Sequence, residues 1–188
     1  MQRSAVVLIV PMLLLLAAPL LADDEPKAEP KAPAASTFPT TWIGAWKGRC
    51  DLIRGGKTAM QFPMELHVEP TEGGNHTWRI VYGEGEKRQV RPYVLQPVEG
   101  AADHFRIDEK NGIVLDAFFE NDRVSNRFGV GDNVIEATYE RQGDEMIVTL
   151  TTFSAQPLAT TGGTGRIPPV TSYGLKAVQR GVLRRAAK

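Results

Sequence analysis

From Trp42 onward, apolar and polar residues alternate with a period of two in short segments separated by turn-forming residues. The cleanest alternation sets Met60, Phe62, Met64, Leu66 and Val68 against Gln61, Pro63, Glu65, His67 and Glu69. Alternate side chains of a strand point to opposite faces, so the first set is a core face and the second meets solvent. The preceding segment, 44–53, opposes Trp46, Gly48, Cys50 and Leu52 to Lys47, Arg49 and Asp51. After Gly73-Gly74-Asn75 the pattern resumes with Trp78, Ile80 and Tyr82 on one side and Arg79 outward. Further strands are predicted near 88–96, 104–107, 113–120, 123–130, 133–142 and 145–154. The residues between them, such as Lys110-Asn111-Gly112, Gly131-Asp132-Asn133 and Gln142-Gly143-Asp144, carry tight-turn chemistry, and turns this short force antiparallel neighbours.

A Gly/Thr/Pro-rich stretch, 155–170, reads as a loop. The last segment, 173–183, fits a closing strand or a short helix; Gly174 and Gly181 favour the strand. About nine or ten antiparallel strands are too many for a small unclosed sheet, so an all-β, up-and-down barrel is expected.

Ahead of the strands, residues 1–22 are expected to be a cleaved export signal. Arg3 supplies a positive start, 5–16 is apolar apart from Pro11, and Ala17-Ala18-Pro19-Leu20-Leu21-Ala22 runs into Asp23-Asp24. Cleavage is expected after Ala22, although Leu20 is larger than the small residue usual at that place. Pro11 and Pro19 leave the apolar run short of the roughly 20 residues that span a bilayer, so no transmembrane segment is expected after cleavage. The implied location is secreted or periplasmic. Residues 23–40 repeat Glu-Pro-Lys-Ala and then Pro, Ala and Ser, which favours an extended, disordered linker. The barrel domain is expected over 41–188. In an oxidising compartment a single cysteine, Cys50, closes no internal disulfide and is expected to be a buried, inert thiol.

Charge changes the picture in its distribution. The chain has 22 basic and 22 acidic residues, yet 23–153 holds 15 basic and 22 acidic, a net −7. Residues 154–188 hold Arg166, Lys176, Arg180, Arg184, Arg185 and Lys188 with no acidic residue. Such a basic end suits an anionic envelope component, while balance with the acidic remainder is the more economical reading. It lacks interleaved aromatics and base-reading motifs, so nucleic acid is not an expected partner.

Gly44 and Trp46, with Gly48 soon after, stand at the head of the first strand of this meander. In that placement the chain resembles the calycin-type barrels, the lipocalins and their fatty-acid-binding and nitrobindin-like relatives. The resemblance implies that Trp46 plugs the closed end of the barrel and that a basic side chain from the end of the chain, Arg180 or Arg184, packs over it. The chain departs from typical secreted lipocalins in lacking paired cysteines. The meander alone is also compatible with an avidin-like barrel or a closed sandwich.

Catalytic and metal signatures are weak. His67-Val68-Glu69 reads H-x-E without a following C-x-x-C, and Glu65, His67 and Glu69 on one outer face are expected to be solvated. No G-x-S-x-G is present, and no catalytic residue, metal or cofactor is expected. Thr160-Thr161-Gly162-Gly163-Thr164-Gly165-Arg166 lacks the Walker lysine and reads as a rim loop rather than a phosphate cradle. Tyr139 and Arg141 share the more apolar face of their strand with Ile135 and Ala137. Fatty-acid-binding barrels use such a pair, in the opposite order, to hold a carboxylate; against this, Arg141 lies near a turn from which it reaches solvent. Trp78, Tyr82, Phe128, Tyr139 and Arg141 are the candidate ligand contacts. The expected function is a non-catalytic binding protein for a small hydrophobic ligand, with a carboxylate as a candidate head group. The alternative is an envelope interaction or structural module with a filled barrel.

Overall fold

A computed structural model describes residues 37–187. The leader expected over 1–22 and the linker up to residue 36 lie outside the described residues. Ten strands follow one another through the short turns: β1 (Gly44–Arg54), β2 (Lys57–Val68), β3 (His76–Tyr82), β4 (Gln89–Pro97), β5 (His104–Asp108), β6 (Val114–Glu120), β7 (Arg123–Val130), β8 (Asn133–Gln142), β9 (Glu145–Thr161) and β10 (Val170–Arg185). Each pairs antiparallel with the next, and β1 pairs with β10 to close the barrel. The last segment is thus a strand. Glycine makes the closing seam: a Cβ on Gly48 would run into the Val182 carbonyl oxygen, and one on Gly181 into Cys50 Sγ.

The buried side chains among the described residues are apolar or aromatic apart from Asn126. Among the described residues no helix is long and apolar enough to cross a membrane. The densest packing lies at one end, where Trp42, Trp46, Trp78, Met64, Leu66, Leu95, Met146 and Leu183 are fully buried. Trp46 donates its indole N–H to the Trp42 carbonyl at 2.9 Å. Trp42 follows from a 3-10 turn, Thr40–Trp42.

The basic partner over Trp46 is Arg185, not Arg180 or Arg184. Its guanidinium lies 4.0 Å from the Trp46 ring centroid and donates to the carbonyls of Ile43 (2.6 Å) and Thr41 (2.9 Å). Parity is the reason. Trp46 pairs with Arg185 across β1 and β10 and shares its face, whereas Arg184 pairs with Lys47 and Arg180 with Asp51 on the outer face. Arg184 instead meets Glu145 at 2.9 Å in solvent. Gly44 sits at φ 136°, where an added Cβ would lie 3.2 Å from Arg185 Nη1.

Two boundaries differ from expectation. Packing begins at Phe38, ahead of the expected domain start at 41: its ring stacks on Phe119 at 4.5 Å and meets Trp42 and Phe105 edge-on. Half of the expected loop over 155–170 is strand. Beyond Ser154, the last residue of β9 paired with β8, and before Val178, the first of β10 paired with β1, the two strands pair only with each other. They form a two-stranded ribbon that rises past the rim and turns at 162–169. Threonine and valine suit an extended backbone, and the ribbon supplies the backbone partners that a loop of this composition would lack.

Candidate functional site

The end opposite the tryptophans is open. The β1–β2, β3–β4, β5–β6, β7–β8 and β9–β10 turns gather there, and two cavities enter between them. The first, about 640 Å³, is walled by Leu52, Met60, Phe62 and Tyr82 and edged by Arg49, Glu84 and Lys87. The second, about 590 Å³, is walled by Leu52, Ile135, Leu150 and Ala177 and edged by Arg54 and Lys176. Leu52 and Gln179 belong to both, so the cavities adjoin across β1 and β10.

The polar groups of this mouth are few. The Gln179 side-chain amide is set against the Tyr82 hydroxyl, and deeper in the barrel Asn126 Oδ1 is buried with no hydrogen-bond partner among the described residues. A buried polar atom without a partner costs about 1–3 kcal/mol. None of Arg49, Arg54, Lys87 and Lys176 is ion-paired with a carboxylate among the described residues; Lys176 donates to the Asp132 carbonyl and to Asn133 Oδ1. Burial, with smaller contributions from Tyr93 and Cys50, pushes the Tyr82 hydroxyl up to about 12. It is therefore a neutral hydrogen-bonding group at any physiological pH.

The five residues expected to contact ligand do not converge. Tyr82 lines the first cavity, with Phe62 at 6.0 Å between ring centroids. Trp78 and Tyr139 lie lower, 5.1 Å apart and edge-on, with Trp42 beneath Trp78 at 6.0 Å. They form a floor. Burial drives the Tyr139 hydroxyl well above the ordinary tyrosine range. Phe128 pairs across the sheet with Ile135, a wall residue of the second cavity. Arg141 is at the closed end, two residues below Tyr139. Its Nη2 donates to both Asp122 carboxylate oxygens at 3.0 Å and its Nη1 to the Gly143 carbonyl at 3.3 Å. Its charge is met by a turn of the protein, so the guanidinium faces away from the mouth cavities.

Sequence reasoning passed over Leu52, Gln179 and the rim cations. Gln179 carried a usable signal, because it shares parity with Ala177, Gly181 and Leu183 and is the uncharged polar residue among them. The rim cations carried none, since charged residues are common both in turns and on the outer face of a strand, where Arg49 stands. Elsewhere, burial and then the Asp51 charge push the Cys50 thiol up to about 12, which leaves it an unreactive core group 3.5 Å from Met64 Sδ. His67 meets Glu65 at 2.7 Å on the outer face. Among the described residues no group of three or more His, Cys, Asp or Glu is placed to hold a metal.

No protein-family model matches the sequence, and no curated protein matches it. Solved structures do. The chain is similar to a protein of unknown function from the DUF3598 family of Nostoc punctiforme, with a TM-score of 0.54 and 9% identity over 78% of this chain and 48% of that one. This chain thus spans about half the length of that protein. A mutant of the fluorescent protein UnaG aligns with a TM-score of 0.39 and 14% identity over 79% of this chain and 99% of that one. At such identities the first likeness is one of fold, that of a closed ten-strand antiparallel meander.

Proposed function

We propose that the protein is an exported, non-catalytic carrier that holds a small apolar ligand in the mouth of its barrel, with an anionic head group at the rim. The observation that carries this reading is the pair of adjoining cavities, each larger than the roughly 300 Å³ at which small-molecule sites begin. Their walls are aliphatic and aromatic. The flexible Met60 suits an irregular apolar shape. A carboxylate is the fitting head group, because Arg49, Arg54, Lys87 and Lys176 stand at the edges and a charge-assisted bond is about twice as strong as a neutral one. Arg141, already held by Asp122, has no part in it.

Native mass spectrometry of protein purified from its own host tests the proposal: a retained small molecule, released on denaturation, is expected. In a binding assay a long-chain carboxylate should outcompete its methyl ester. Leu52→Trp, which fills the wall common to both cavities, should abolish binding, and Arg141→Gln should leave the preference intact. No retained molecule and no binding of either probe would overturn the carrier reading in favour of an envelope interaction module acting through its surface.

A further inference from the structure

Beyond its base the ribbon above the mouth has no strand of the barrel as a partner, and its surface is unlike the rest of the molecule. Among the described residues, all but Phe118 and Val182 of the twelve large hydrophobic side chains that stand exposed lie at the mouth end. Five of them, Leu158, Ile167, Val170, Tyr173 and Leu175, belong to the ribbon or its turn, and Leu158 and Leu175 are 75% and 61% exposed. An exposed apolar cluster of this kind marks an interaction site.

Charge narrows the partner. No acidic residue follows Glu145 in the sequence. Arg166 sits at the ribbon turn and Lys176 at its base, and the neighbouring β1–β2 turn adds Arg54 and Lys57. Asp132, in the β7–β8 turn, touches the ribbon through its backbone carbonyl, which accepts from Lys176 Nζ at 2.9 Å and from the Ala155 amide at 3.0 Å. Addition of a strand from another protein fits poorly. Pro157 removes an amide from the β9 edge, and three register shifts between Ser172 and Ala177 distort the β10 edge; both devices obstruct edge-to-edge pairing. A fluid surface needs no such edge. Apolar side chains interleaved with cations and a tyrosine, without acids, match the boundary between acyl chains and anionic headgroups.

We propose that the β9–β10 ribbon docks the mouth end of the barrel on an anionic lipid surface, with Leu158, Ile167, Val170 and Leu175 entering the interface and Arg166 and Lys176 at the headgroups. The proposal does not depend on what the mouth holds.

The tryptophans permit a site-specific test on the full chain. All three are fully buried at the opposite end, so an indole introduced by Tyr173→Trp reports on the ribbon alone. Vesicles of phosphatidylcholine, and of an equal mixture with phosphatidylglycerol, would carry brominated acyl chains. Quenching of the new indole is expected in the mixed vesicles, with less in phosphatidylcholine alone, and it should fall with added salt. The unsubstituted chain should not be quenched, whatever the leader does. In the Tyr173→Trp background, Leu158→Asp should abolish quenching, and Arg166→Gln should weaken partitioning about fivefold, the contribution of one cation near an anionic surface. Both changes lie beyond the closed barrel and should leave the melting temperature unchanged. An indole that stays unquenched in mixed vesicles would overturn the proposal. So would a dimer in solution that Leu158→Asp dissociates, which would assign the ribbon to a second copy.

Discussion

The two ends of this barrel are built from the same alternating strands and differ in what completes them. At the closed end a segment before the first strand folds in: Phe38 and Trp42 fill the opening, Trp46 packs beneath, and Arg185 seals the gap with bonds to two carbonyls. At the mouth the corresponding space is left to Leu52, Met60, Phe62 and Leu150, and Met60 is 52% exposed. A sheet with an apolar inner face leaves both openings uncovered, and whichever end receives a capping segment becomes the core. The end without one keeps its cavities.

The contrast can be broken most directly at Trp46. Trp46→Ala should destabilise the protein by about 3–5 kcal/mol, as large aromatic truncations in cores do, measured by urea denaturation. A loss below about 1 kcal/mol would mean that the closed end is not the core. Phe38 tests whether the cap belongs to the fold. Phe38→Ala should cost roughly 1.5–3 kcal/mol, and a chain beginning at Ser36 should melt with the mature protein while one beginning at Trp42 melts lower.

Arg185 and its neighbour sharpen the comparison further. Arg185→Gln should cost about 1–3 kcal/mol by removing charge-assisted bonds and the contact with Trp46. Arg184→Gln, in solvent beside Glu145, should stay within about 0.5 kcal/mol. Equal effects would contradict the parity argument. At the mouth, Met60→Ala should cost less than about 1 kcal/mol while weakening ligand retention.

The smallest effect at neutral pH concerns the tyrosines. Tyr82, raised from 10.0 to about 12 by burial, holds its proton in the folded state over a range where the unfolded chain releases it. Stability from this group is complete below pH 10 and is lost as pH rises from there through about 12. Tyr139 on the floor is likewise raised by burial. An ultraviolet titration should therefore find both tyrosines ionising above the ordinary tyrosine range while the barrel is folded.

Much of this molecule was legible along the chain. Period-two alternation and turn residues located the strands, because both follow from local backbone geometry and the burial of one face. The inward sets Met64, Leu66 and Val68 on β2 and Trp78 and Ile80 on β3 are as the alternation requires. The ribbon was missed because its residues carry no apolar alternation: its strands bury nothing and are held by each other's backbone. The likeness to calycin barrels suggested that a basic residue would cover Trp46, but choosing among Arg180, Arg184 and Arg185 required the register of β1 against β10, a pairing between segments more than a hundred residues apart.

The candidate site divides in the same way. Tyr139 and Arg141 share a face, and alternation alone determines that. Only the tertiary structure decided that the face runs downward from Tyr139 to the closed end, where Asp122 from another turn takes the charge of Arg141. The cavities likewise belong to no segment, since Leu52, Tyr82, Ile135 and Gln179 meet because the sheet closes on itself. The sequence by itself determined which residues face inward, a property of each strand and its period. Which end is filled, which is open and which charges are already matched depend on strand register and on which segment caps the barrel, and those are set by contacts between residues far apart in the chain.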